Sequence, residues 1–218
     1  PMLLTVLVAN PKGGCGKSTL STHLAGYYAQ AGYRTLLGDM DRQQSSARWL
    51  TRRPAGVAAI AGWAIDPEDP APPPKGTQVA ILDSAANLHG KKLASLLRKV
   101  DRIVVPVMPS PFDTWASEDF FAALAEEKAI RKEKVTIGVV GMRVNPRTRA
   151  AGELRDFFTR FELPVITCLR DTQLYVHAAS HGLTLFDLPT SKVERDRQEW
   201  QPLLDWLGLP ANARELDA

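Results

Sequence analysis

The chain has 218 residues, of which 44% are hydrophobic and 23% charged, with a formal net charge of +3. That length suits one α/β domain, and the apolar content is enough for a continuous core. No apolar run approaches the roughly 20 residues that span a bilayer, and the mild basicity permits binding to nucleic acid without establishing it.

Taken in chain order, apolar strands alternate with amphipathic helices, the pattern of a parallel sheet covered on both faces. The spacing predicts a strand over Thr5 to Ala9. A helix follows over Ser18 to Gln30, with Leu20, Leu24 and Tyr28 on one face and Gly32 as its stop. A second strand runs from Arg34 to Asp39, and a helix from Gln44 to Arg53 turns Trp49 and Leu50 inward. Pro54 to Gly76 reads as a surface excursion with one short strand at Ala58 to Trp63, because its proline run cannot hold a helix or a central strand.

A third long strand is expected over Gln78 to Asp83, a helix over Lys91 to Val100 and a strand over Arg102 to Val107. Thr114 to Arg131 reads as one long helix, and Lys134 to Met142 as a buried strand rich in Val and Ile. A helix over Arg149 to Phe161, a strand over Pro164 to Leu169 and an amphipathic helix over Ser191 to Leu207 complete the pattern. There is no internal repeat, and the whole chain, residues 1–218, reads as one domain.

The chemistry begins at residues 10–19, Asn-Pro-Lys-Gly-Gly-Cys-Gly-Lys-Ser-Thr, between the first strand and the first helix. Glycines at this place let backbone N–H groups turn around phosphate oxygens, and the following helix start favours negative charge. Lys17 supplies a point charge for the β- and γ-phosphates, and Ser18 a hydroxyl for Mg²⁺. The general phosphate-loop pattern places a glycine where this chain has Pro11, and a second lysine, Lys12, follows. The second strand ends in Gly-Asp-Met-Asp-Arg-Gln-Gln, which puts Asp39 and Asp41 on the same side of an extended chain, at the strand end where ligands bind in such sheets. Either aspartate also suits a helix N-cap. The third strand, Val-Ala-Ile-Leu-Asp, ends in the single carboxylate Asp83.

Together these segments resemble the deviant Walker A loop and its companions in the ParA/MinD family of ATPases, and the short ParF-like members in particular. The resemblance covers nearly the whole chain and implies a P-loop NTPase fold, a doubly wound and mostly parallel sheet. It implies ATP and Mg²⁺ as ligands, cradled by Lys12, Gly13, Gly14, Cys15, Gly16, Lys17, Ser18 and Thr19. Lys12 is the lysine that reaches across a dimer to the partner's nucleotide. Asp41 orients the attacking water and joins Ser18 and Asp83 around the metal, with Asp39 supporting the loop. Arg42 stands where the family has proline, and Ser84-Ala85-Ala86 lacks the family's proline in the loop that senses the γ-phosphate.

Val-Pro-Val-Met-Pro-Ser-Pro-Phe-Asp after the fourth long strand resembles a stretch of small plasmid-partition ATPases, with Asp113 read as a helix N-cap. Asn145 is either a residue that reads the adenine edge or part of an Asn-Pro turn. The implied partners are a second copy in the ATP state, DNA bound without sequence preference, and an adaptor protein that stimulates hydrolysis. Candidate DNA contacts are Arg143, Arg147, Arg149, Arg170, Lys192, Arg195 and Arg197. The implied activity is a slow ATPase that moves or positions a plasmid, chromosome region, carboxysome or chemoreceptor cluster.

Two other classes share the fold. A MinD-like membrane ATPase needs a basic amphipathic C-terminal helix, whereas the chain ends in a proline-broken, slightly acidic segment from Leu209 to Ala218. A metabolic enzyme similar to dethiobiotin synthetase usually lacks the Lys12 type of lysine. The two cysteines, Cys15 and Cys168, fit a reducing bacterial cytoplasm with nucleoid association rather than a disulfide framework, and no Cys/His group has metal-site spacing. Pro1-Met2-Leu3 lacks a basic leader region, so no secretory signal is expected, and Pro1 reads as a cloning remnant.

Overall fold

The computed structural model describes residues 3–66 and 71–209. The elements are β1 (Leu4–Val8), α1 (Lys17–Gln30), β2 (Thr35–Asp39), α2 (Ser45–Thr51), β3 (Ala61–Trp63), β4 (Val79–Asp83), α3 (Gly90–Leu97) and β5 (Arg102–Val107). They continue with α4 (Pro111–Glu126), α5 (Lys128–Arg131), β6 (Thr136–Met142), α6 (Arg149–Thr159), β7 (Val165–Leu169), α7 (Gln173–Ser180), a 3-10 turn (Leu185–Asp187) and α8 (Thr190–Leu207). Part of the proline run, residues 67–70, and the C-terminal segment after Leu209 lie outside the described residues, as do Pro1 and Met2.

Seven strands form one sheet in the order β3-β2-β4-β1-β5-β6-β7, and every pairing is parallel. Parallel strands need crossovers, and the alternation of side chains sends each strand's residues to two helix layers. Val6 and Val8 pack with Leu20, Leu24, Trp49, Trp200 and Leu203 on the face carrying α1, α2 and α8. Leu7 and Ala9 pack with Leu93, Leu96, Phe120, Phe121, Leu154 and Phe158 on the face carrying α3, α4 and α6. β1 and β5 are neighbours, yet the crossover after β1 leads to β2 and that after β5 to β6. The connections diverge there, and a crevice opens at the strands' C-terminal ends.

Three elements differ from the sequence pattern. The long helix expected from Thr114 begins earlier, at Pro111, because the Ser110 hydroxyl accepts the Asp113 amide and proline suits the first helical position. It also breaks at Glu127, whose ψ of 132° is extended, before α5 resumes. The apolar spacing hides that break because Ile130 still packs against the core. Helix α7 and the 3-10 turn went unseen in the sequence; α7 buries only Ala178, which leaves little periodicity to read.

An ion pair ties the turn after α2 to the 3-10 turn. Arg53 donates to both carboxylate oxygens of Asp187, at 2.9 and 3.0 Å, and the two side chains are only 5% and 0% exposed. Burial raises the Asp187 carboxyl, but hydrogen bonds from Arg53, Gln30 and the Thr184 amide outweigh it and hold the group below its ordinary value. A depressed folded-state value stabilises the fold above the unfolded carboxylate pKa, and that contribution is lost as pH falls through the folded value. Arg53→Met strands a buried carboxylate and should destabilise the fold by about 3 to 5 kcal/mol near neutral pH. Urea unfolding at neutral and acidic pH checks this: the deficit should shrink in acid, where Asp187 is protonated in the variant.

Candidate nucleotide site

The loop after β1 is held from within. The Asn10 amide group donates to the Pro106 carbonyl at 2.8 Å, and its Oδ1 accepts the Lys12 N–H at 2.9 Å. Gly14 and Gly16 take φ of 74° and 102°, the left-handed region that favours glycine. Gly16 is the N-cap of α1, with no side-chain cap bond and no acid in the first turn. The first N–H groups of this 14-residue helix therefore lack side-chain acceptors, and the positive end of its dipole faces the crevice.

That crevice is a cavity of about 530 Å³ lined by Gly13, Gly14, Gly16, Lys17, Ser18, Thr19, Asp41, Arg42, Gln43, Ser45, Asp83, Ala85, Ala86, Asn87 and Arg143. Three strand ends meet in it, β1 through its loop, β2 through Asp41 and β4 through Asp83. Asp83 is 1% exposed. One of its oxygens accepts the Ser18 hydroxyl at 2.7 Å and the Ser46 hydroxyl, and the other is buried with no hydrogen-bond partner among the described residues. Burial pushes the Asp83 carboxyl up to about 6; the two serine hydroxyls and Lys17 oppose the rise, while Asp39, its register partner on β2, adds to it. A buried carboxylate with a free oxygen beside a serine hydroxyl is an oxygen donor set of the kind a hard divalent cation takes.

Asp39 and Asp41 divide the roles that the sequence left open. Asp39 accepts the Asp41 amide at 2.9 Å and the Ala47 amide at 3.0 Å, so it holds the loop against the first turn of α2. Asp41 accepts the Gln43 amide at 2.9 Å, half-buried, on the cavity wall. Neither is the N-cap of α2, a place taken by Gln44.

The two loop lysines are engaged differently. The Lys17 ammonium donates to the Lys12 carbonyl at 2.9 Å, on the wall of the cavity. The Lys12 ammonium lies 2.8 Å from Asp113 Oδ1, with its side chain 36% exposed, and Lys12 does not line the cavity. Asp113 is thus not the expected N-cap. Ser110 caps α4, and Asp113 in the first turn accepts the Ser110 hydroxyl and Lys12. Cys15 turns its thiol inward, 3.2 Å from the Lys12 carbonyl, and burial raises its pKa; only its backbone can serve the crevice.

Asn145 does not reach this cavity. Its Oδ1 accepts the Arg147 amide at 3.1 Å and its carbonyl the Thr148 amide at 3.1 Å, which closes the Asn-Pro turn. The residue that the loop after β6 does bring to the cavity is Arg143, in the left-handed region at φ 54°. Arg143, Gly16 and Thr19 also line an adjoining cavity of about 290 Å³ with Met142, Leu169, Asp171, Thr172 and Tyr175. Sequence reasoning missed Ser46 altogether, and it had no role at this cavity for Arg42 or Arg143. Among the DNA candidates, Arg170 pairs with buried Asp196 at 2.8 Å, and Arg197 donates to the Phe186 and Leu188 carbonyls.

Residues 6–185 match the CobQ/CobB/MinD/ParA nucleotide binding domain. The chain belongs to this family. It is similar to Maintenance of carboxysome distribution protein A of Halothiobacillus neapolitanus, 30% identical over 190 residues that cover 84% of this chain and 87% of that one. The protein of the same name from Gloeobacter kilaueensis is 27% identical over 219 residues, covering 98% and 88%. A plasmid partition protein from Borrelia burgdorferi B31, solved with AMPPNP, shares the fold with a TM-score of 0.70 at 14% identity, over 94% of this chain and 99% of that one.

In this ParA/MinD-family chain the glycine geometry of the loop is open to a direct test. A Cβ on Gly16 would lie 2.7 Å from the movable end of Met142, and φ of 102° is strained for any L side chain. Gly16→Ala should weaken ADP binding about tenfold or more by isothermal titration calorimetry, as the loop turns its N–H groups away from the phosphates.

Proposed function

We propose that the chain is an ATPase that pairs with a second copy when ATP is bound, binds DNA without sequence preference and positions a cargo inside a bacterial cell. Residues 1–218 act as one domain in this reading. Lys17 and the loop amides from Gly13 to Thr19 bind the phosphates, and the adjoining cavity by Arg143 and Tyr175 accepts the base in place of Asn145. Ser18 and Asp83 hold Mg²⁺ together with Asp41. Bound there, the metal offsets negative charge on the phosphates. Asp41 aligns the attacking water, and Asp39 keeps Asp41 in place. Positioning and charge are what phosphoryl transfer to water needs from a protein.

The observation that carries the two-copy reading is the place of Lys12. It stands beside its own cavity without lining it, and its side chain is 36% exposed with the ammonium against a carboxylate at the loop rim. A cation held there can serve a nucleotide presented by a facing copy once it leaves Asp113. The similarity to carboxysome distribution proteins over most of the chain supports cargo positioning, with an adaptor protein as the expected activator. No helix among the described residues is long and apolar enough to cross a membrane. The tail on which the MinD-like alternative turns lies outside the described residues.

Lys12→Ala should abolish ATP turnover, and ATP-dependent dimerisation by light scattering, while ADP affinity stays within about threefold of the parent. Normal hydrolysis by this variant would refute the trans-lysine role. DNA binding should strengthen with ATP and weaken steeply with salt. Equal binding in ATP and ADP, read by gel shift, would remove the switching part of the reading.

A further inference from the structure

The basic excess of this chain is not spread evenly. Residues 90–100 carry Lys91, Lys92, Arg98 and Lys99 with no acid, and residues 128–134 carry Lys128, Arg131, Lys132 and Lys134 with one acid, in a chain whose net charge is only +3. The fold brings the end of the first segment beside the second. Helix α3 leads into β5 and α5 into β6, and β5 and β6 are neighbours that begin with Arg102 opposite Thr136. The end of the first segment, with Arg98 and Lys99, and the second segment therefore lie at the strands' N-terminal ends, opposite the phosphate loop, whereas Lys91 and Lys92 begin α3 on the other side.

Between them is a cavity of about 310 Å³ lined by Arg98, Lys128, Lys132 and Lys134, with Glu127 as its one acid and Ala94 and Ala129 as its apolar wall. All four cations are exposed, and none forms an ion pair among the described residues, whereas Arg53, Arg149, Arg170 and Arg195 all do. Four unpaired cations around one concavity repel one another and are relieved by a polyanion.

We propose that this concave face docks the phosphodiester backbone of duplex DNA. The inference rests on the DNA-binding part of the proposed function and gives it a location. Lysines contact phosphate as point charges and carry no sequence information, and no long helix stands on this face to enter a groove, since α5 has four residues. An anionic membrane fits less well, because surface-seeking segments place large apolar side chains beside their cations. The exposed Phe112, Trp115, Val176 and Leu209 are all absent from this lining. A second basic groove holds Arg147, Arg155 and Arg195, but there Arg195 faces Glu199 at 3.7 Å and Arg155 donates to the Pro146 carbonyl.

The face is remote from the phosphate loop, so its charge is the same with or without nucleotide. One chain offers about four phosphate contacts, a salt slope of about −4. In a dimer that meets through its phosphate-loop ends the two faces lie at opposite poles, so ATP strengthens binding only to DNA long enough to reach both.

The test is fluorescence anisotropy of a short labelled duplex of arbitrary sequence with ATP, across a salt series. Lys128→Gln/Lys132→Gln/Lys134→Gln should weaken binding about tenfold or more and flatten the slope by about 3 for each chain. Its DNA-free ATP turnover and ATP-dependent dimerisation should match the parent, and Arg147→Gln/Arg155→Gln should bind DNA as the parent does. Undiminished binding by the triple variant, or an equal loss in the Arg147/Arg155 variant, overturns the location while leaving DNA binding intact. A parent that binds no DNA in any nucleotide state overturns both. Parent binding to phosphatidylserine vesicles, lost in the triple variant and without any DNA binding, assigns the face to a membrane and overturns the proposal.

Discussion

The Asp83 carboxylate is the constraint around which the rest of the site is arranged. A strand buried on both faces delivers one charge to the end of the sheet, and burial raises the free energy of keeping it ionised. Two serines, one on the phosphate-loop helix and one on α2, satisfy one oxygen, and the other oxygen has no partner among the described residues. That imbalance is costly in a fold with no ligand and becomes useful when a cation arrives. It also fastens α1, β4 and α2 to one another, so the phosphate loop and the Asp41 loop cannot shift independently of the carboxylate.

The same economy governs the lysines. Neither is left unengaged beside the crevice. Lys17 rests on a backbone carbonyl and Lys12 on Asp113, across the point where the crossovers after β1 and β5 part. In the proposed nucleotide complex, phosphate oxygens would compete with the Lys12 carbonyl for Lys17, since a bond between two charged groups is stronger than one to a neutral carbonyl. The loop thus holds both of its cations on partners within the chain. Asp113 gives the second lysine a defined place outside the cavity rather than a diffuse one in solvent.

A parallel sheet has two chemically different ends, and this chain uses them separately. At the C-terminal ends, bare helix N–H groups, carboxylates and Lys17 face one another within a single crevice. At the N-terminal ends the crossovers return, and Arg98, Lys128, Lys132 and Lys134 surround one concavity with no ion pair among the described residues. The core between the two ends is close-packed, from Leu7 and Val104 to Trp200.

Much of this could be read from residue order alone. The apolar runs and their spacing marked the seven strands and most of the helices, because a buried parallel strand needs a continuous apolar run and a crossover helix needs a 3.6-residue period. The loop from Asn10 to Thr19 announced a phosphate site, because glycines, two lysines and a hydroxyl at fixed offsets act through local backbone geometry. Tertiary structure alone decided what depends on side chains distant in sequence. Ser46 reaches Asp83 across 37 residues, Lys12 meets Asp113 rather than its own crevice, and Arg143 takes the place expected of Asn145, which spends its side chain on the turn. Helix α7 and the break at Glu127 were invisible for a related reason, since one buries a single residue and the other keeps the apolar spacing intact. Periodicity reports burial along one segment; it cannot report which segments the fold will bring face to face.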